Sequence, residues 1–136
     1  MRLKSWLIVA TTAAALTSGL TGCSIPDYDP VTIVYEDYQE SETITWVVVG
    51  TEIQRSDQID DEDAEETGTE VPDRAAFVNS VHEELHPPKW DGCTDANEMT
   101  IETHDPDGKP YVSKLEDCGV QQKYVDDMFW ALGEER

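Results

Sequence analysis

The chain has 136 residues and sets 30 Asp and Glu against nine Lys and Arg, a formal charge of −21 with histidine neutral. That length supports one small domain. The charge excludes nucleic acid as a partner, because phosphate binding needs the opposite sign. It predicts a heavily solvated surface that repels itself and anionic lipid headgroups alike.

The first stretch, Met1 to Ser5, carries Arg2 and Lys4, and an apolar run of 11 residues follows from Trp6 to Leu16. Small and polar residues then lead to Leu20-Thr21-Gly22-Cys23. A charged head, a short apolar core and a small-residue cleavage site predict a secretory signal over residues 1–22. The core falls short of the roughly 20 apolar residues that cross a bilayer. Leu-Thr-Gly-Cys resembles the bacterial lipobox. The resemblance implies cleavage before Cys23, a thioether-linked diacylglycerol on its sulfur, and a protein anchored by lipid at the extracytoplasmic face of the cell membrane. Two acyl chains anchor stably where one is marginal, at about 0.8 kcal/mol per buried CH₂. Loss of Arg2 and Lys4 with the signal leaves 114 residues, seven bases and 30 acids, a formal charge of −23. With Cys23 used by lipid, Cys93 and Cys118 are an even pair in an oxidising compartment and are expected to form a disulfide.

Residues 23–42 read as a lipidated acidic tether, with Pro26 and Pro30 among Asp27, Asp29, Glu36, Asp37, Glu40 and Glu42. Within it, Val31 to Tyr35 reads either as a short first strand or as more tether. A single domain is expected over residues 43–133. Thr43 to Val49 is rich in β-branched and aromatic residues and predicts a buried strand ended by Gly50. Arg55 to Glu70 holds eight acids and one base with hardly any apolar residue. It is expected to be a mobile acidic loop over 55–70, because it cannot bury enough surface to order itself. A calcium loop starting at Asp61 fails on spacing: Glu66 and Pro72 stand where Gly and Glu are needed.

Pro72 to His86 predicts a helix, with Phe77, Val78, Val81 and Leu85 on one stripe and Pro87-Pro88 ending it. Glu98 to His104 alternates Met99, Ile101 and Thr103 against polar neighbours and predicts a half-buried strand. Asp105-Pro106-Asp107-Gly108 is a turn signal, and Tyr111 to Glu116 predicts the returning strand. Val120, Tyr124, Val125, Met128, Phe129 and Leu132 form a helical stripe, with Gly133 as its cap. The expected fold class is α+β: a small antiparallel sheet with a C-terminal hairpin over 98–116, packed by two helices and stapled by one disulfide. The order of helix, cysteine, hairpin, cysteine and terminal helix over 73–132 resembles small lipid-anchored secreted proteins of actinobacteria. More distantly it is similar to the second half of secreted protease inhibitors of the subtilisin-inhibitor type. That family normally carries a second disulfide, for which this chain has no cysteines, so no inhibitory loop is assigned.

His82-Glu83-Glu84-Leu85-His86 matches H-E-x-x-H on the predicted helix. Histidines four apart share a helix face and can grip one zinc, with Glu83 as general base to a bound water. Against a zinc peptidase stand the charged Glu84 inside the motif and the prolines directly after His86. A catalytic site also needs a third ligand, for which Glu98, Glu102 and His104 are candidates without a motif to support them. On the helical wheel His82 lies at the margin of the apolar stripe and His86 further towards water. Trp46, Trp90 and Trp130 read as core or rim aromatics. The expected function is a non-enzymatic module, anchored through Cys23, that binds a protein, an envelope polymer or a small ligand without a cofactor. The alternatives are a metal-binding or zinc-hydrolytic protein using His82 and His86, and a protease inhibitor.

Overall fold

The computed structural model describes residues 25–60 and 62–136. Residues 1–22, where a secretory signal is expected, the expected lipid-bearing Cys23, Ser24 and Asp61 lie outside the described residues. Six strands form one antiparallel sheet: β1 (Val31–Asp37), β2 (Glu42–Val49), β3 (Glu52–Ile59), β4 (Glu65–Glu70), β5 (Glu98–His104) and β6 (Pro110–Glu116), in the order β4-β3-β2-β1-β5-β6. Two helices complete the α+β body, α1 (Arg74–Glu84) and α2 (Gln122–Ala131), the second entered through a 3₁₀ turn at Gly119–Gln121. Among the described residues no helix is long and apolar enough to cross a membrane.

The sheet buries one face. Ile33 stands opposite Trp46 on β2 and Ile101 on β5, and Tyr35 opposite Ile44 and Met99. Side chains alternate across a strand, so these residues point to the same side. They share one buried cluster with Phe77 and Val81 of α1 and Val125, Met128, Phe129 and Leu132 of α2. Phe129 meets Tyr35 and Trp46 edge-on, with centroids 5.1 and 5.4 Å away, which seats α2 on the sheet.

Two expectations for the first half of the chain are corrected. The stretch 25–42 is not a tether. Tyr28 is buried, and β1 lies between β2 and β5 near the middle of the sheet. Its buried Val31, Ile33 and Tyr35 alternate with Thr32, Val34 and Glu36, a period-two pattern that the flanking acids and prolines obscure. The stretch 55–70 is not a loop either. Most of it forms β3 and β4, paired from Glu52–Glu70 to Asp57–Glu65. Backbone hydrogen bonds from β2 to β3 and from β3 to β4 supply what apolar burial does not. On β4 every side chain is exposed. An exposed acidic edge strand also opposes pairing with another copy.

The second half follows its pattern closely. Asp73 caps α1, its Oδ1 accepting from the Ala76 N–H at 3.2 Å. The Gly108 N–H closes the 105–108 turn onto the Asp105 carbonyl at 2.9 Å, joining β5 to β6. At the end of α2, Gly133 takes φ +78°. Its N–H reaches the Trp130 carbonyl and that of Glu134 the Phe129 carbonyl, the Schellman pattern that reverses the chain. The reversal returns Glu134 to the Trp46 indole N–H at 3.2 Å and to Arg55 at 3.0 Å. Arg136 then bonds Asp117 and Asp126, its guanidinium 4.8 Å above the Phe129 ring.

Cys93 and Cys118 form the disulfide, 25 residues apart in sequence. It ties the loop after α1 to the end of β6. Beside it Gly119 has φ +55°, and a side chain there would collide with the indole of Trp90. Closure of a loop of this length contributes about 3–4 kcal/mol in the chain-entropy picture. Replacing both Cys93 and Cys118 by serine is therefore expected to lower unfolding free energy by about 3 kcal/mol, read by urea denaturation followed by tryptophan fluorescence.

Candidate functional site

Helix α1 presents three consecutive titratable residues to three different environments. Successive residues are about 100° apart around a helix. His82 is half-buried at the rim, Glu83 is exposed, and Glu84 points into the core with Phe77 and Val81. His86 is exposed one turn beyond His82, and the two imidazole centroids are 5.0 Å apart. Each ring is held through Nδ1. That of His82 meets the Tyr28 hydroxyl at 2.8 Å, and that of His86 the His82 carbonyl at 3.0 Å. Tyr28 also stacks on His82, centroid to centroid 6.1 Å. The pair opens into a shallow depression of about 440 Å³ lined by His82, Glu83, His86, Lys123 and Tyr124.

The proposed third ligands do not join this pair. Glu98 lies on β5, where Lys114 bonds it at 2.8 Å and Tyr38 donates to it at 2.9 Å. The Lys114 hydrogen bond, partly offset by burial, holds the Glu98 carboxyl below its usual range. Glu102 and His104 are exposed on β5. Among the described residues no three His, Cys, Asp or Glu converge as metal ligands. No third protein ligand for a hydrolytic zinc stands beside His82 and His86 among the described residues.

In sequence Glu84 reads only as a charged residue inside the motif, and its burial was missed. It is 1% exposed, and neither carboxyl oxygen has a hydrogen-bond partner. Burial raises its pKa well above the ordinary carboxyl value, and the charges of Asp127 and Glu83 push the same way. The usable signal was spacing: Glu84 stands seven residues after Phe77 and three after Val81, on the inward stripe. The second buried carboxyl is different in kind. Asp117 accepts from the Tyr35 hydroxyl at 2.6 Å and pairs with Arg136. Burial and that hydrogen bond push the Tyr35 phenol up to about 12.

Trp130, expected as a core or rim aromatic, is 80% exposed. It stands between two depressions. One, of about 650 Å³, is lined by Pro72, Asp126, Phe129, Gly133, Glu134, Glu135 and Arg136 beside the indole. The other, of about 340 Å³, runs between the helices past Pro72, Asp73, Ala76, Ser80, Asp127 and Ala131. Trp130 and Pro72 line both, so the indole is a ridge between two acid-rimmed hollows. Trp46 by contrast is fully buried and Trp90 is 39% exposed against Gly119.

Comparison of the chain with protein-family models, with curated proteins and with solved structures finds no match.

The buried carboxyl makes a signed prediction. Its folded-state pKa lies above its unfolded value of about 4.5, so folding favours the protonated form and stability falls as pH rises above that value. Glu84→Met fills similar space with no charge to bury. It is expected to stabilise the protein at pH 8 by about 1–3 kcal/mol, the cost of a buried polar group without a partner. The gain should shrink as pH falls towards 5, measured by thermal melting across that range.

Proposed function

We propose that the protein is a non-enzymatic binding module, held at the extracytoplasmic face of a membrane by lipid on Cys23, that docks basic polypeptide segments at Trp130. The membrane placement rests on the signal-like residues 1–22 and on Leu20-Thr21-Gly22-Cys23. The Cys93–Cys118 disulfide suits an oxidising compartment. Because Tyr28 already belongs to the core, only four residues separate it from Cys23, a reach of at most about 18 Å over the five Cα–Cα steps. In this reading the acidic body sits close to the headgroups, and the acyl chains act against the repulsion between them.

The binding reading is carried by the exposure of the Trp130 indole at the junction of the two hollows. The indole stands with Pro72 on the rim of both hollows, so a partner group laid in either one meets an aromatic face. Its surroundings select the sign of the partner: Asp73, Asp126, Asp127, Glu134 and Glu135 line the hollows, with Arg136 as the one base among the lining residues. An arginine or lysine of a partner laid over the indole gains a cation–π contact and faces a field of its own opposite charge.

Two experiments test the proposal. Cys23→Ala should abolish incorporation of radiolabelled fatty acid and release the protein from the membrane fraction; retention of the acyl label in this variant overturns the anchoring reading. For binding, a fluorescent octa-arginine peptide is titrated with protein in about 0.15 M salt, a concentration that screens distant charges. Trp130→Ala preserves net charge and is expected to weaken peptide binding about twofold to fivefold, the worth of one exposed cation–π contact. Equal affinity in the two proteins would mean that the acidic surface alone attracts the peptide, without a docking site.

A further inference from the structure

The imidazole pair on α1 is left unused by the Trp130 reading. We propose that His82 and His86 together bind one divalent ion of the late transition series, Cu²⁺, Ni²⁺ or Zn²⁺, through their Nε2 atoms, in an open site completed by water or by a ligand from another molecule.

The argument begins with tautomers. A carbonyl oxygen can only accept, so the His86 Nδ1 carries the proton that it donates to the His82 carbonyl. That leaves the His86 Nε2 lone pair facing out of an exposed side chain. The His82 Nδ1 is likewise engaged, by the Tyr28 hydroxyl at 2.8 Å, and the Tyr28 ring stacks on it. A hydroxyl both donates and accepts, so the Tyr28 oxygen can accept a hydrogen bond from Nδ1–H, the tautomer that leaves the His82 Nε2 lone pair free as well. Neither Nε2 has a hydrogen-bond partner among the described residues. Engagement of the inner nitrogen is the usual way a metal-binding histidine is oriented.

Placement agrees. Residues four apart on a helix share a face, and the two rings stand 5.0 Å apart, centroid to centroid, tilted by 51° rather than stacked. The depression they open into has room for an ion with its waters. Its lining base, Lys123, is bonded to Asp127 at 2.7 Å, so that positive charge is already answered. Glu83 stands on the same rim, and the net charge of −21 favours cation approach. Imidazole nitrogen selects late transition ions over Mg²⁺ and Ca²⁺, which prefer oxygen. With no third protein ligand among the described residues, the site holds its ion by two bonds and keeps positions open for exchange.

The test uses the full chain with Cys23→Ser in detergent, so that no free thiol competes for metal. Calorimetric titration with Cu²⁺, Ni²⁺ and Zn²⁺ is expected to give one ion per chain, tightest for Cu²⁺. His82→Gln and His86→Gln should each weaken Cu²⁺ binding at least tenfold, with melting temperatures checked for an intact fold. Nitrogen-15 spectra of the unsubstituted chain should show the Nε2 resonances of both histidines moving on Zn²⁺ addition. Binding of several ions unchanged by either substitution would overturn the proposal and assign the heat to the acidic surface. So would Zn²⁺ shifts confined to Nδ1 or absent from both rings.

Discussion

The rest of the molecule hangs on Phe129 resting edge-on against both Tyr35 and Trp46. Those two residues sit on neighbouring strands, β1 and β2, so one side chain of α2 fixes the helix over the middle of the sheet. The same ring lies under the guanidinium of Arg136, which also bonds Asp117. Trp46 in turn donates to Glu134 from the tail that the Gly133 reversal brings back. Apolar contact sets the position, and a few charge-assisted bonds lock the chain end across it. Trp130 is the residue after Phe129. With Phe129 turned into the core, the next side chain lies about 100° further round the helix and is left in solvent.

Charge is the second constraint. A body of this size carrying a formal −21 has a strong tendency to repel itself open. The fold answers by distributing acids on the edge strand β4, the rim and the turns, where water screens them. Several of the few bases are set where they do most. Arg55 bridges Asp57 and Glu134, and Arg136 bridges Asp117 and Asp126. The disulfide then limits how far the unfolded chain can expand between positions 93 and 118. Glu84 breaks the pattern, since its carboxyl is buried without a partner and is best accommodated as the neutral acid.

Legibility in the sequence divided sharply along the chain. Elements whose own residues bury a face were readable: β2, the β5–β6 pair, α1 and α2 all carry their periodicity, and the turn and cap residues agree with them. The strands β3 and β4 were not, because their residues have little to bury and take their structure from the backbone of a neighbouring strand. β1 was ambiguous for the opposite reason. Its apolar alternation is genuine but short, and acids and prolines on both sides imitate a linker. For the site, the spacing of His82 and His86 placed them on one helix face, at the margin and in water as observed. The partners of those rings could not be read: Tyr28 is 54 residues away from His82 and reaches it only through the fold.

By itself the sequence determined what depends on near neighbours. It carried the helix stripes, the hairpin turn, the cap at Gly133, the four-residue interval between the imidazoles and the large negative charge. Tertiary structure alone decided that an acid-rich stretch becomes two strands, that Glu84 is sealed inside and that Trp130 is left outside. The reason is that periodicity states which residues share a face, while what covers that face is set by elements distant in the chain. Glu84 and Trp130 each differ from their neighbours by one step around a helix, and only the packed sheet and partner helix turn that step into burial or exposure.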